Sequence, residues 1–529
     1  MLSMEEQIKR RRTFAIISHP DAGKTTLTEK FLLYGGAIQA AGMVKGKKNM
    51  KHAVSDWMDI EKQRGISVTS SVMQFEYDGY CVNILDTPGH QDFSEDTYRT
   101  LMAADAAVMV IDASKGVEKQ TKKLFKVCVM RHIPIFTFIN KMDREAREPL
   151  DLLEEIENVL GIQTYPVNWP IGSGRRFRGV YDRTTERIVV FSGENGKLEA
   201  HAEYADLHDE TDAENLMDID QYHKLLDDME LLDVAGSEFS QDAVDHGELS
   251  PVFFGSALTN FGVEPFLRDF LKMTSSPLPR KTDNGIVDPF DNAFSGFIFK
   301  IQANMNKAHR DRIAFMRICS GKFEKDAEVL HVQTGKRTRL SQPQALMAQD
   351  RETVQEAYAG DIIGIFDPGM FSIGDTVCAP SKKCKFEGIP TFEPEHFCRV
   401  RQTDTMKRKQ FVKGITQIAQ EGAIQIFSEP ESGMEEVIVG VVGVLQFEVL
   451  EHRLNNEYNV EIKMEPLPYQ FARWIANEEL DPKTLDITSD TKYAQDMRGN
   501  PILLFSSEWN IHWATEHNKT LQLLDFNRN

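Results

Sequence analysis

Short runs of apolar or β-branched residues, broken only by Asn83, punctuate the first third of the chain, at residues 13–17, 81–85, 106–111 and 135–139, and a fifth follows at 252–254. Each is too short for a helix and lacks the alternation of a half-solvated strand, so each predicts a strand buried on both faces. Helical stretches lie between them, and that order predicts an α/β fold built on a doubly wound parallel sheet. More than a hundred residues separate the fourth run from the fifth, against about 30 for a strand-helix-strand unit, which predicts an inserted subdomain at about 163–250. After Ser275-Ser276-Pro277-Leu278-Pro279 the pattern changes to short strands bounded by turn residues, at 294–301, 312–318, 328–332 and 361–366, as in a β-barrel. Beyond Gly388-Ile389-Pro390, helices at 409–420 and 444–454 alternate with strands at 437–442 and 460–464. The expected layout is an N-terminal α/β domain at 1–280, a β-barrel domain at 281–389 and a C-terminal α+β domain at 390–529.

Composition fits this layout. A chain of 529 residues exceeds what one hydrophobic core supports, and 41% apolar with 27% charged residues is a globular balance. Residues 1–12 carry Glu5, Glu6 and a basic cluster with no apolar run, unlike a secretory signal or an anchor. Nothing in the chain is apolar for long enough to cross a bilayer. The six cysteines never form a CxxC pair, which argues against a disulfide framework or a structural zinc. A cytoplasmic, reduced monomer with no membrane partner is expected. The formal charge of -20 is concentrated: residues 194–248 hold 18 acids and two lysines, a local -16, leaving -4 elsewhere. Basic runs at Lys45, Lys47, Lys48 and Lys51, at Arg175, Arg176 and Arg178, and at Arg399, Arg401 and Lys407–Lys409 read singly as solvated faces and together leave contact with a phosphate backbone open, with no DNA partner expected.

The candidate chemistry sits at the ends of the predicted strands. After the first comes Ser18-His19-Pro20-Asp21-Ala22-Gly23-Lys24-Thr25-Thr26, the GxxxxGK[ST] phosphate loop with Ser18 in place of the first glycine. Its backbone amides would cradle phosphates at a helix N-terminus, Lys24 would reach the outer phosphates, and the Thr25 hydroxyl would bind Mg2+. After the second comes Asp86-Thr87-Pro88-Gly89-His90. Asp86 would hold Mg2+ through water, the Gly89 amide would sense a γ-phosphate, and His90 would orient the attacking water. After the fourth comes Asn140-Lys141-Met142-Asp143, and after the last Ser256-Ala257-Leu258. A carboxylate at Asp143 accepts from guanine N1 and its 2-amino group, a pattern adenine lacks. Asn140 would brace the loop, Lys141 would cover the base, and the Ala257 amide would meet guanine O6. Four elements in order, each at a strand end, predict a GTPase cycling between GTP and GDP, with Lys24, Asp86 and His90 as its catalytic residues.

With these motifs the chain resembles the translational GTPases, the group of elongation factors Tu and G. Arg64-Gly65-Ile66-Ser67-Val68-Thr69 resembles that family's first switch motif, with serine where the family has the Mg2+-binding threonine. The resemblance assigns Ser67 to the metal with Thr25 and Asp86, leaves Thr69 as a rival, and places Pro20 and Ile66 as apolar gates beside His90. Strings at 18–24, 92–99 and 301–312 are similar to family members that act in termination, and the match includes Ala359-Gly360-Asp361-Ile362, which resembles the barrel domain these factors share, and Gly443-Val444-Leu445-Gln446-Phe447 in the third domain. That similarity implies a bacterial-ribosome-activated GTPase that drives off the codon-reading release factors after peptide release, its basic runs meeting ribosomal RNA. The acidic block at 194–248 then either touches a ribosomal protein or keeps the surface soluble, and the first reading is favoured. An elongation factor G-like or ribosomal protection factor needs two further domains after the third. A metabolic GTPase subunit would lack the third-domain string, and a pure binding module would not need His90.

Overall fold

The computed structural model describes residues 2–37, 68–192, 201–303, 312–340, 343–347, 350–389, 391–429, 436–477 and 484–524. The N-terminal strands are β1 (Arg11–Ser18), β2 (Ser71–Tyr77), β3 (Tyr80–Asp86), β4 (Ala106–Asp112), β5 (Ile135–Asn140) and β6 (Gln163–Pro166). The inserted strands β7 (Asn168–Ile171), β8 (Gly179–Asp182), β9 (Arg187–Ser192) and β10 (His201–Asp206) form an antiparallel sheet of their own, and the chain returns as β11 (Leu249–Phe254). The main sheet has the order β2-β3-β1-β4-β5-β11-β6, with β2 antiparallel to β3 and the other pairs parallel. β6, at the start of the stretch read as inserted, pairs with β11 and forms an edge of the main sheet.

Both faces of this sheet are covered, which is why its central strands read as largely apolar runs without alternation. Along β1, Phe14 and Ile16 enter one core and Ala15 and Ile17 the other. The first core is dominated by aromatic rings from the sheet and from the helix Val263–Met273. Phe270 lies 4.6 Å from Phe14 and 4.8 Å from Phe136, edge-on to each, while Phe138 stacks on Phe266 at 4.9 Å.

The second unit is an eight-stranded sheet centred on Ser295–Ala303 and Arg312–Ser320, closing around Ile298, Met316, Ile363 and Val377 in a half-barrel. The third is another eight-stranded antiparallel sheet, with helices Arg408–Gln420 and Leu445–Tyr458 packed together through Ile415, Ile418, Leu450 and Leu454. The weakly patterned tail belongs to this sheet: Lys492–Asp496 pairs with Gln425–Ser428, and Pro501–Phe505 with Phe471–Ile475.

Buried polar contacts join the units. The Gly360 carbonyl of the half-barrel accepts from Thr13 Oγ1 (2.6 Å) and Asn83 Nδ2 (3.4 Å) of the main sheet and from Arg317 Nη1 (2.6 Å). Arg317 and Arg280 both reach Asp105, and Arg11 Nε lies 2.8 Å from Asp361. The third unit holds the helix Ser94–Ala103: Arg99 donates to the carbonyls of Glu421 (3.2 Å) and Gly422 (2.7 Å). A cavity of about 50 Å³ remains where the three units meet, lined by Thr69, Glu95, Asp96, Lys300 and Arg453 among others. Burial pushes the Glu95 carboxyl up despite Arg99. Burial also opposes the charge on Asp96, yet Lys300, Arg99 and Ser70 outweigh it and hold that carboxyl below its ordinary value.

Candidate nucleotide site and its contact with the third domain

Four strand ends converge on one edge of the main sheet. β1 runs into the loop 18–23, and the helix Lys24–Tyr34 starts directly after Gly23. Gly23 has φ +98°, and a Cβ there would sit 2.2 Å from Asn140 Nδ2, so the position requires glycine on both counts. No side chain caps the helix N-terminus, which leaves the arrangement that accepts a phosphate. Thr25 and Thr26 lie half-buried in the first turn. Lys24 is buried, and its Nζ lies 2.5 Å from Asp86 Oδ1 at the end of β3.

The loop after β3 is fixed from both sides. Thr87 Oγ1 donates to the Ile16 carbonyl at 2.7 Å, and the Pro88 carbonyl accepts from Thr97 Oγ1 at 3.3 Å. Gly89 packs against Pro20, whose Cα would lie 3.4 Å from a Cβ there. His90, 36% exposed at its side chain, accepts the Asp92 amide at Nδ1 (3.2 Å). His19 Nε2 lies 3.3 Å from Glu118 Oε1, and its buried Nδ1 has no hydrogen-bond partner among the described residues.

Asn140 joins the phosphate loop to the base-side loops. Its Nδ2 donates to the Ala22 carbonyl at 2.9 Å, and its Oδ1 accepts the amides of Lys141 (2.8 Å) and Ala257 (2.9 Å). The Ala257 amide, expected to meet guanine O6, is thus engaged within the protein. Lys141, expected to cover the base, places its Nζ 2.7 Å from Asp112 Oδ2 and 2.5 Å from the Asp21 carbonyl. Asp143 Oδ1 accepts from Ser256 Oγ at 2.6 Å, and Leu258 is exposed.

Asp112, at the end of β4, is absent from the sequence candidates, although its position at the tip of a buried strand is the same signal that marks Asp86. Burial works against its charge, but Lys141 and Ser114 outweigh that and hold the carboxyl below its ordinary value of 3.8. Ser67, Arg64 and Ile66 lie outside the described residues, as do Lys45, Lys47, Lys48 and Lys51. Thr69 lines the cavity at the junction with the third unit. Of the basic runs, Arg175, Arg176 and Arg178 are exposed, whereas Arg399 pairs with Glu436 at 3.2 Å and Arg401 with Glu465 at 3.5 Å.

Sheet, phosphate loop and base-side loops define the class as a GTP-binding protein of the translation-factor type. Residues 9–276 match the family "Elongation factor Tu GTP binding domain", residues 293–380 "Elongation factor G domain 2", and residues 386–515 "Class II release factor RF3, C-terminal domain". The chain belongs to the peptide chain release factor 3 family. Proteins of that name are 57% identical in Symbiobacterium thermophilum (98% of each chain covered) and 54% in a Cyanothece species (98% of this chain, 96% of that one). In Listeria monocytogenes the identity is 54%, with 98% of each chain covered. A crystal structure from Thermus thermophilus shares the fold with TM-score 0.69 at 20% identity, over 92% of this chain and 72% of that one. The protein is a GTPase and binds guanine nucleotide, and the match of the third unit removes the metabolic-subunit reading.

Proposed function

We propose that the protein hydrolyses GTP on the bacterial ribosome in translation termination, where its cycle drives the codon-reading release factors off after peptide release, without codon specificity of its own. The observation that carries this reading is 57% identity to a peptide chain release factor 3 over 98% of the chain. Residues 1–280 form the GTP-binding domain, with the acidic insertion between β6 and β11, followed by the barrel domain at 281–389 and the C-terminal domain at 390–529. The factor works as a cytoplasmic monomer. No helix among the described residues is long and apolar enough to cross a membrane.

The site residues take these roles. Amides of 18–26 cradle the phosphates, and Lys24, which rests on Asp86 in the structure, turns to the outer phosphates. The oxygens of Thr25, Asp86 and Ser67 are hard donors that suit Mg2+, which when bound neutralises charge on the β- and γ-phosphate oxygens. Asp143, oriented by Ser256, reads guanine. His90 orients the water that attacks the γ-phosphate in line, and the ribosome completes the site, so the isolated protein is slow.

The test compares GTP hydrolysis with and without bacterial ribosomes for the wild type and His90→Ala. Strong stimulation that His90→Ala reduces by about 100-fold or more is expected. Rapid turnover without ribosomes, or a rate that ribosomes leave unchanged, would sink the termination reading while leaving the nucleotide site standing.

A further inference from the structure

His90 is held from behind by a residue that also touches the third domain. Asp92 lies two positions further on, in the single 3-10 turn Gln91–Phe93, with its side chain nearly buried. Its amide donates to His90 Nδ1 at 3.2 Å, and its Oδ1 lies 3.2 Å from the same ring nitrogen. Its other oxygen, Oδ2, accepts the amide of Leu445 at 2.9 Å, across 353 positions of sequence, at the first residue of the helix Leu445–Tyr458. Gly443 packs so closely that a Cβ there would stand 2.2 Å from Asp92 Cγ. An apolar cluster of Val68, Phe93, Leu445 and Val449 surrounds the contact.

We propose that Asp92 is a positioning residue that couples the His90 ring to the C-terminal domain. The proposal rests on the role given to His90 above. In the neutral ring Nδ1 accepts the Asp92 amide, and in the charged ring an Nδ1 proton faces the Asp92 carboxylate. In both states Nε2 is the nitrogen left for the water, and its direction follows the backbone that Leu445 holds. A displacement of the third domain by the ribosome therefore reaches the catalytic ring through one carboxylate, with no need for the helix Ser94–Ala103 to refold.

The experiment measures ribosome-stimulated hydrolysis, with kcat and the KM for ribosomes separated, and GDP affinity, for the full chain carrying Asp92→Ala, Asp92→Asn, Gly443→Ala, His90→Ala or Asp92→Ala with His90→Ala. Asp92→Ala is expected to lower kcat by roughly tenfold, the scale on which orienting partners act, with the KM and GDP affinity held within about twofold. Gly443→Ala, which drives a methyl into the carboxylate from the other domain, reproduces the loss if Asp92→Ala folds poorly. Asp92→Asn can still accept from Leu445 and donate to Nδ1, and recovers most of the rate. In the His90→Ala background Asp92→Ala costs nothing more. Full kcat in both Asp92→Ala and Gly443→Ala, a loss confined to KM, or a loss that adds in full to His90→Ala overturns the coupling while His90 keeps its role. Full activity of His90→Ala instead removes the His90 reading and this proposal with it.

Discussion

Both polar atoms of the Asn140 carboxamide are committed, one to the Ala22 carbonyl and the other to two amides, so a single side chain fixes the distance between phosphate loop and base-side loop. That bracing role is readable from the NKxD string, because strand-end position and residue type together specify it. The companion contacts are not readable: whether the Ala257 amide meets a ligand or Asn140 depends on about an ångström of loop geometry that no spacing encodes. Asp112 shows the same limit, since its pairing with Lys141 needs two strand tips to be neighbours. This pair has a pH consequence. The folded carboxyl lies below its ordinary value of 3.8, so its stabilisation is complete above that pH and is lost as pH falls below it. Asp112→Asn is expected to cost about 1 kcal/mol at pH 7 and progressively less below pH 4. Thermal unfolding of both forms across that range checks it, and a difference that grows on acidification would reverse the sign.

At the scale of elements, the strands legible in sequence are those buried on both faces. β2, whose buried Val72, Met73 and Phe75 are interrupted by Gln74 and Glu76, and β6, only four residues long, are the two edges of the main sheet, and neither carries a continuous apolar run. The helix Ser94–Ala103 carries a contact with the third unit that its sequence string does not announce. Arg99 takes the Glu421 and Gly422 carbonyls with the two arms of its guanidinium, and a Cβ on Gly422 would stand 1.5 Å from Arg99 Nη1. Arg99→Ala is expected to raise amide exchange in residues 94–103 and 418–425 by roughly tenfold to a hundredfold, as loss of two hydrogen bonds implies, while β1, β4 and β5 stay protected. Arg99→Lys should not restore protection, because one ammonium cannot reproduce the planar fork. Unchanged exchange in both segments would mean that apolar packing alone holds the seam.

Over the whole molecule, the seams combine apolar packing with buried polar contacts. Thr13, Asn83 and Arg317 converge on the Gly360 carbonyl, and Asp105 receives Arg280 and Arg317. Removing Asp105 would leave the buried Arg317 guanidinium without its carboxylate. The contacts between units join residues 175 to 347 positions apart, which is why sequence pattern announces three units but not how they dock. Charge is distributed just as unevenly. Of the formal -20, residues 194–248 account for -16, and the described part of that block lies between β9 and β11, on β10, the helix Ile219–Ala235 and its neighbours. Charge concentrated in this way gives a molecule a dipole, and in the field of a polyanion a dipole experiences a torque before contact. If the acidic block steers in this way it turns outward, and collisions arrive already biased in orientation. Replacing six of the exposed acids by their amides should raise nonproductive association with ribosomes at low salt and narrow the gap between low- and high-salt on-rates. Stopped-flow association across an ionic-strength series reads both, and identical salt slopes would show that this pole does no steering.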